Sequence, residues 1–314
     1  MTHRLGFAAA AAVGVVTSAS GQNILVPESG DNTVYLINGF DGSVINSSFI
    51  SIADAASAAG YTGSTTPVEA IEVGNEIWVS DQLADRIWTF DRSGNYTGQI
   101  GVDSFGDGQL NNIRGIEVVG DTVYASLGNN NAAGTVLEGI ATIDVSTRQI
   151  SGGFNGRDAV DTNYFDVLAY NGELLVTNID TGNDGVERYD LAGNFLGSLI
   201  ASDGATGVDF AQQITARSSN GNLLVGGFSP PSGVYEYLPD GTSLGIVAGL
   251  DFGPRAGYEL GNGSVVWSNG SFLRTDAETF ANGSFRFFSP TSVPAPASAA
   301  LLSLGGLAAA RRRR

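Results

Sequence analysis

Apolar residues in this chain come in short bursts, each bracketed by glycine, asparagine or aspartate. The clearest stretch reads Gly74-Asn75-Glu76-Ile77-Trp78-Val79-Ser80-Asp81 and continues through Asp85-Arg86-Ile87-Trp88-Thr89-Phe90-Asp91. It closes on Gly94-Asn95-Tyr96-Thr97-Gly98-Gln99-Ile100-Gly101. β-branched and aromatic residues in runs this short predict strands. Asn38-Gly39, Asp41-Gly42, Asn171-Gly172, Asn220-Gly221 and Asp240-Gly241 predict tight turns between them, because Asn, Asp and Gly tolerate positive φ. Several strands are apolar on both faces, as expected of strands covered on both sides. No long segment keeps a helical period; only residues 52–59 suggest one or two helical turns.

The strand–turn–strand grammar of residues 74–101 recurs over 23–50, 120–153, 172–200, 221–247 and 261–289. An apolar anchor precedes each copy after the first: Ile71, Ile116, Val167, Ile214 and Tyr258, at intervals of 45, 51, 47 and 44 residues. A four-stranded propeller blade takes about 40–50 residues, so residues 22–290 hold close to six blades. Five or seven fit the same length. The predicted fold is therefore all-β, a single propeller of four-stranded blades. Residues 23–50 supply only three strands. The late segment Ser284-Phe285-Arg286-Phe287-Phe288-Ser289 is expected to join residues 23–27 and close the ring, removing exposed strand edges.

Residues 74–101 resemble an NHL-type β-propeller repeat closely, and 172–200 and 221–247 resemble it more loosely. The resemblance implies a propeller body over most of residues 23–290.

The two ends are of another kind. Arg4, the apolar run 5–16 and the small residues Thr17-Ser18-Ala19-Ser20-Gly21 have the three parts of a secretory signal peptide over 1–21. At the other end, Val293-Pro294-Ala295-Pro296-Ala297-Ser298 leads into a small-residue apolar run and then Arg311, Arg312, Arg313 and Arg314. Apolar length followed by positive charge fits a marginal membrane stop with its charges held cytoplasmic. Residues 291–314 resemble the PEP-CTERM sorting tail of Gram-negative bacteria, with one departure: the family's central Glu is Ala295 here. The resemblance implies a C-terminal sorting helix and an exosortase-like membrane enzyme as processing partner. It also implies export, transient anchoring in the inner membrane, and delivery to the cell surface or extracellular matrix.

Charge and composition narrow the chemistry. All 15 basic residues are Arg, and five of them lie in the terminal segments; none of the 32 acidic residues does. Ten arginines against 32 carboxylates leave the body at −22, a surface that repels nucleic acid and anionic lipid. The chain has no Cys and no Lys, and its one His is His3. Ser-His-Asp and Cys-His catalysis, imidazole metal sites and Lys Schiff bases are thereby excluded from the body.

Two groups of residues are site candidates. Asp180, Asn183, Asp184 and Glu187 cluster around Gly182 and Gly185, and oxygen ligands on a glycine-rich turn suit a structural Ca²⁺. Their spacing does not match an EF-hand loop, and an Asx-type turn facing solvent explains them more simply; no other cofactor is expected. The second group precedes the anchors: Glu69, Arg114, Asp166, Gln212 with Gln213, and Arg255. If anchor strands line the channel, these residues ring one mouth, where Arg114 and Arg255 would keep Glu69 and Asp166 ionised and paired. Ordinary strand-end solvation is the competing explanation.

The expected function is a non-catalytic binding or structural module, with extracellular polysaccharide or surface proteins as partners. The alternative is a calcium-dependent propeller hydrolase or lactonase using carboxylates around a channel metal. An active carboxylate site would show acidic groups in a cleft with at least one raised pKa.

Overall fold

A computed structural model describes residues 22–106, 108–128, 139–155, 163–180, 184–201 and 207–294. The signal segment 1–21, Asn183, and Ala295, Pro296 and Arg311 to Arg314 of the tail lie outside the described residues. Six four-stranded antiparallel sheets form the blades of a β-propeller. Blade two is typical, running outward from the axis as Pro67–Val73, Glu76–Asp81, Arg86–Asp91 and Tyr96–Ile100. The inner strands of blades three to six are Ile113–Val119, Tyr164–Tyr170, Ala211–Ala216 and Ala256–Glu259. Each contains its sequence anchor. The expected short helix is Ile52–Ala58, capped by the Ser51 hydroxyl accepting the Asp54 amide.

Local chemistry explains the outer hairpins. Asp91 Oδ1 accepts the amides of Ser93 and Asn95, and Asp190 Oδ1 accepts those of Ala192 and Asn194. Gly94 and Gly193 follow at φ +84° and +86°. The shared Asp-x-x-Gly-Asn sequence is thus a side-chain-pinned turn, with the glycine in the left-handed region that it alone enters without strain.

Blade one closes the ring. Its inner strand is Ser289–Thr291, paired antiparallel to Asn23–Glu28 with Asn23 opposite Thr291 and Leu25 opposite Ser289. Phe285, Phe287 and Phe288 are buried with Ile24 and Val26. The expected closing segment does join residues 23–27, although the regular strand begins at Ser289 and the preceding phenylalanines serve as packing. Packing continues to Val293, which is buried against Leu25 and Ile77 and whose carbonyl accepts the Asn23 amide nitrogen at 2.7 Å.

The core lies between blades rather than in one centre. Trp78 packs with Ile113, Val123 and Ala125 of blade three, and Trp267 with Leu224 and Val234 of blade five. This is why blade strands are apolar on both faces: each sheet covers two neighbours. No helix among the described residues is long and apolar enough to cross a membrane.

Candidate functional site

The central channel is built from one repeated irregularity. The register of the inner strand slips between Pro67 and Ala70, Ile113 and Ile116, Tyr164 and Asp166, and Ala211 and Ile214. A bulge re-aims side chains and breaks pairing with the neighbouring strand. In four blades it falls on the polar residues preceding the anchors.

What these residues do is join blades. Glu69 accepts the amide of Ile116 in the next blade at 2.6 Å and the Ser289 hydroxyl from the previous one at 3.0 Å. Asp166 accepts the Ile214 amide, again one blade on, at 2.9 Å. Gln213 reaches further and bonds both the amide and the carbonyl of Phe288. Second-strand hydroxyls add a parallel set, with Ser80 donating to the Arg114 carbonyl, Ser126 to Phe165 and Thr177 to Gln212. Long and short residues alternate where space is tight: a Cβ on Gly115 would stand 2.0 Å from Asp166 Oδ1.

Polar groups of opposite sign are segregated along the channel. At one end a cavity of about 300 Å³ is lined by Glu69, Glu117, Asp166, Tyr258 and Phe288, among others. Burial pushes the Glu117 carboxyl up to about 7. Burial raises Glu69 well above its ordinary value, and the negative charge of Asp166 adds to it; burial likewise raises Asp166.

Arg114, Arg255 and Arg286 gather away from this cavity. Arg114 lies 4.3 Å over the Phe165 ring, and Arg255 lies 5.4 Å over Phe228. Phe165, Phe210 and Phe228 link these two contacts as a chain of ring pairs, with Phe287 against Phe165. Burial lowers Arg114 to about 10, and burial with the charges of Arg255 and Arg114 lowers Arg286 to about 9.

The structure therefore corrects the expectation of one mixed, ion-paired mouth. Glu69, Arg114, Asp166 and Gln212 are buried, while Arg255 is half-buried. No ion pair joins the carboxylates to Arg114 or Arg255 among the described residues. The acids are pushed up rather than held ionised, because they face one another and burial while the arginines collect elsewhere. Gln212 contributes its carbonyl to Thr177, and its side-chain oxygen is buried without a hydrogen bond. Glu117 and Arg286 were not among the sequence candidates. Glu117 carried one signal, a charge directly after the anchor Ile116. Arg286 lies in the closing segment, whose approach to the channel only the folded ring reveals.

Of the calcium candidates, Asp184 and Glu187 have separate partners among the described residues. Glu187 is buried, and its carboxylate accepts the hydroxyls of Tyr164 at 3.0 Å and Tyr189 at 2.5 Å and the Asn178 amide at 3.3 Å. Asp184 hydrogen-bonds Asp209, whose carboxyl is raised by burial and by that neighbour. Among the described residues no group of three or more acidic or histidine side chains is placed to hold a metal ion.

No family model matches the chain, and no curated protein matches its sequence. Solved structures do match its fold. One chain of the nidogen/laminin complex is similar at TM-score 0.63 and 12% identity, covering 87% of this chain and 99% of that one. A protein of unknown function from Bacteroides caccae matches at TM-score 0.54 and 13% identity, over 87% of this chain and 100% of that one. Virginiamycin B lyase from Staphylococcus aureus matches at TM-score 0.51 and 13% identity, over 80% and 78%. At these identities the likeness establishes the six-bladed propeller and nothing finer.

Proposed function

We propose that the protein is an exported, non-catalytic binding module, sorted to the cell surface or extracellular matrix, with polysaccharide or surface proteins as partners. Shared fold does not choose between binding and catalysis; the neighbours include a member of a protein complex and a lyase. One observation speaks against catalysis by the innermost acidic groups. The innermost carboxylates, Glu69 and Asp166, each accept a backbone amide of the following blade, so both act as joints of the ring. A glycan-binding screen of the purified protein, run with calcium and with chelator, tests this reading. Saturable glycan binding without turnover of lactones or glycosides upholds it; turnover overturns it.

The address rests on the two ends. Residues 1–21 act as the export signal, and an exosortase-like enzyme cuts near 293–298. Val293 is packed into blade one, which favours cutting beyond it. Intact-mass analysis of the native protein is the test. A surface-recovered chain that still carries Arg311 to Arg314 overturns sorting.

The second reading is a carboxylate hydrolase or lactonase, with or without calcium, favoured by Glu117. A carboxyl at about 7 on a cavity of about 300 Å³ has the proton affinity expected of an acid–base catalyst near neutrality. Loss of turnover in Glu117→Gln, with folding retained, would establish it.

A further inference from the structure

Arg92, Arg148, Arg188 and Arg217 are each paired with a carboxylate. Among the described residues Arg86, Arg114, Arg255, Arg274 and Arg286 are not, although the body carries a large acidic excess; of these, Arg114, Arg255 and Arg286 lie within reach of one another's charge. Arg114 is 6% exposed and uses one terminal nitrogen on Asn163 Oδ1 and the Tyr164 carbonyl. Its Nε is buried with no hydrogen bond, and so is Nε of Arg255, which makes no side-chain hydrogen bond among the described residues. Arg286 donates Nε to the Ser29 hydroxyl at 3.0 Å. The acids whose fields reach this group are Asp180, near Arg114, and Glu28, near Arg286. Glu28 is already engaged by the amides of Gly30, Asp31 and Ser284.

Three cations held together against mutual repulsion, two with orphaned donors, form a site short of a negative group. Guanidinium forks match the planar oxygens of carboxylate and the tetrahedral oxygens of sulfate. The neighbouring phenylalanine faces offer apolar surface to the body of a ligand. A densely charged polyanion would be strongly repelled by the rest of the acidic surface, and one isolated charge far less. We propose that Arg114, Arg255 and Arg286 bind a single oxyanion, carboxylate or sulfate, carried on an otherwise neutral sugar.

This deepens the binding reading proposed above and rests on it for the sugar, but its chemistry is tested separately. Galacturonate, galactose and inorganic sulfate are titrated into the purified protein by calorimetry, with ionic strength held constant by chloride. Galacturonate or sulfate is expected to bind saturably and galactose at least tenfold more weakly. The galacturonate arm identifies a uronate ligand and the sulfate arm a sulfate ester. Arg255→Gln and Arg286→Gln are each expected to weaken binding about tenfold or more, with Arg255→Lys intermediate because it keeps charge but loses the fork. Arg188→Gln, which removes an exposed arginine paired with Glu173, should leave binding unchanged. Failure of both anions to bind, equal binding of galactose, or undiminished affinity in both glutamine variants overturns the proposal. Anion binding lost in those variants upholds the site even where the glycan screen is blank, so the two readings fail separately.

Discussion

The carboxylate of Glu69 and the backbone amide of Ile116 meet at 2.6 Å across the boundary between blades two and three. Asp166 repeats the contact with Ile214 between blades four and five. These joints tie the inner strands of neighbouring blades to one another at the axis. Removing an acceptor leaves a buried amide without a partner, at about 1–3 kcal/mol. Glu69→Ala should therefore lower the melting temperature by several degrees, at roughly 2–4 °C per kcal/mol for a domain of this size. Glu69→Gln should be nearly neutral, since its oxygen can accept from Ile116 while its NH₂ meets the Ser289 hydroxyl. Differential scanning calorimetry of both variants separates these outcomes; equal losses would contradict the joint.

Glu117 makes stability depend on pH. Its unfolded carboxyl titrates near 4.5 and its folded one near 7. Between those values the native state holds a proton that the unfolded chain has released, so stability falls as pH rises. The contribution is complete below about 4.5 and lost above about 7. Its full size is at most about 3–4 kcal/mol, from the rise from 4.5 to about 7 at about 1.36 kcal/mol per pH unit. Glu117→Gln should flatten the fall in denaturation midpoint between pH 4.5 and 7.5; an unchanged slope would assign it elsewhere.

Gly115 is required by its neighbour. A Cβ there would lie 2.0 Å from Asp166 Oδ1 and 2.7 Å from Asp166 Cα. Gly115→Ala should cost about 1–3 kcal/mol through overpacking. Asp166→Ala also costs the Ile214 joint, so the double variant should lose less than the sum of the two single losses but more than Asp166→Ala alone, because the contact with the Asp166 backbone remains. Urea denaturation of the single and double variants measures the coupling, and simple additivity would refute it.

Glu187 supports blade four through Tyr164 and Tyr189. Glu187→Ala should destabilise the protein by about 1–3 kcal/mol by removing the acceptor shared by two buried hydroxyls, whose mutual hydrogen bond at 2.6 Å remains. The loss should be equal in calcium and in chelator. A loss seen only in calcium would make Glu187 a ligand instead.

Closure should be indispensable. Chains ending at residue 283 lack the inner strand of blade one and expose the edge of Asn23–Glu28. They should aggregate rather than fold, because one edge of that largely apolar strand is left unpaired. A monomeric, cooperatively melting product by size exclusion and calorimetry would show that the ring closes without it.

Strand identity, turn chemistry, blade period and the closing segment were legible in the sequence. All are local: turns follow from Asn, Asp and Gly within a few residues, and strands from short apolar runs. Even the bulged polar residues could be named, since Glu69, Asp166 and Gln212 each stand one or two residues before a recurring anchor. Their roles could not be read. Only the ring decides that Glu69 reaches Ile116 rather than Arg114, that Gly115 makes room for Asp166, and that Arg286 joins Arg114 and Arg255. The channel is formed by strands separated by whole blades in sequence. Partners, burial and charge along it follow from how the blades are rotated about the axis, which no single blade encodes.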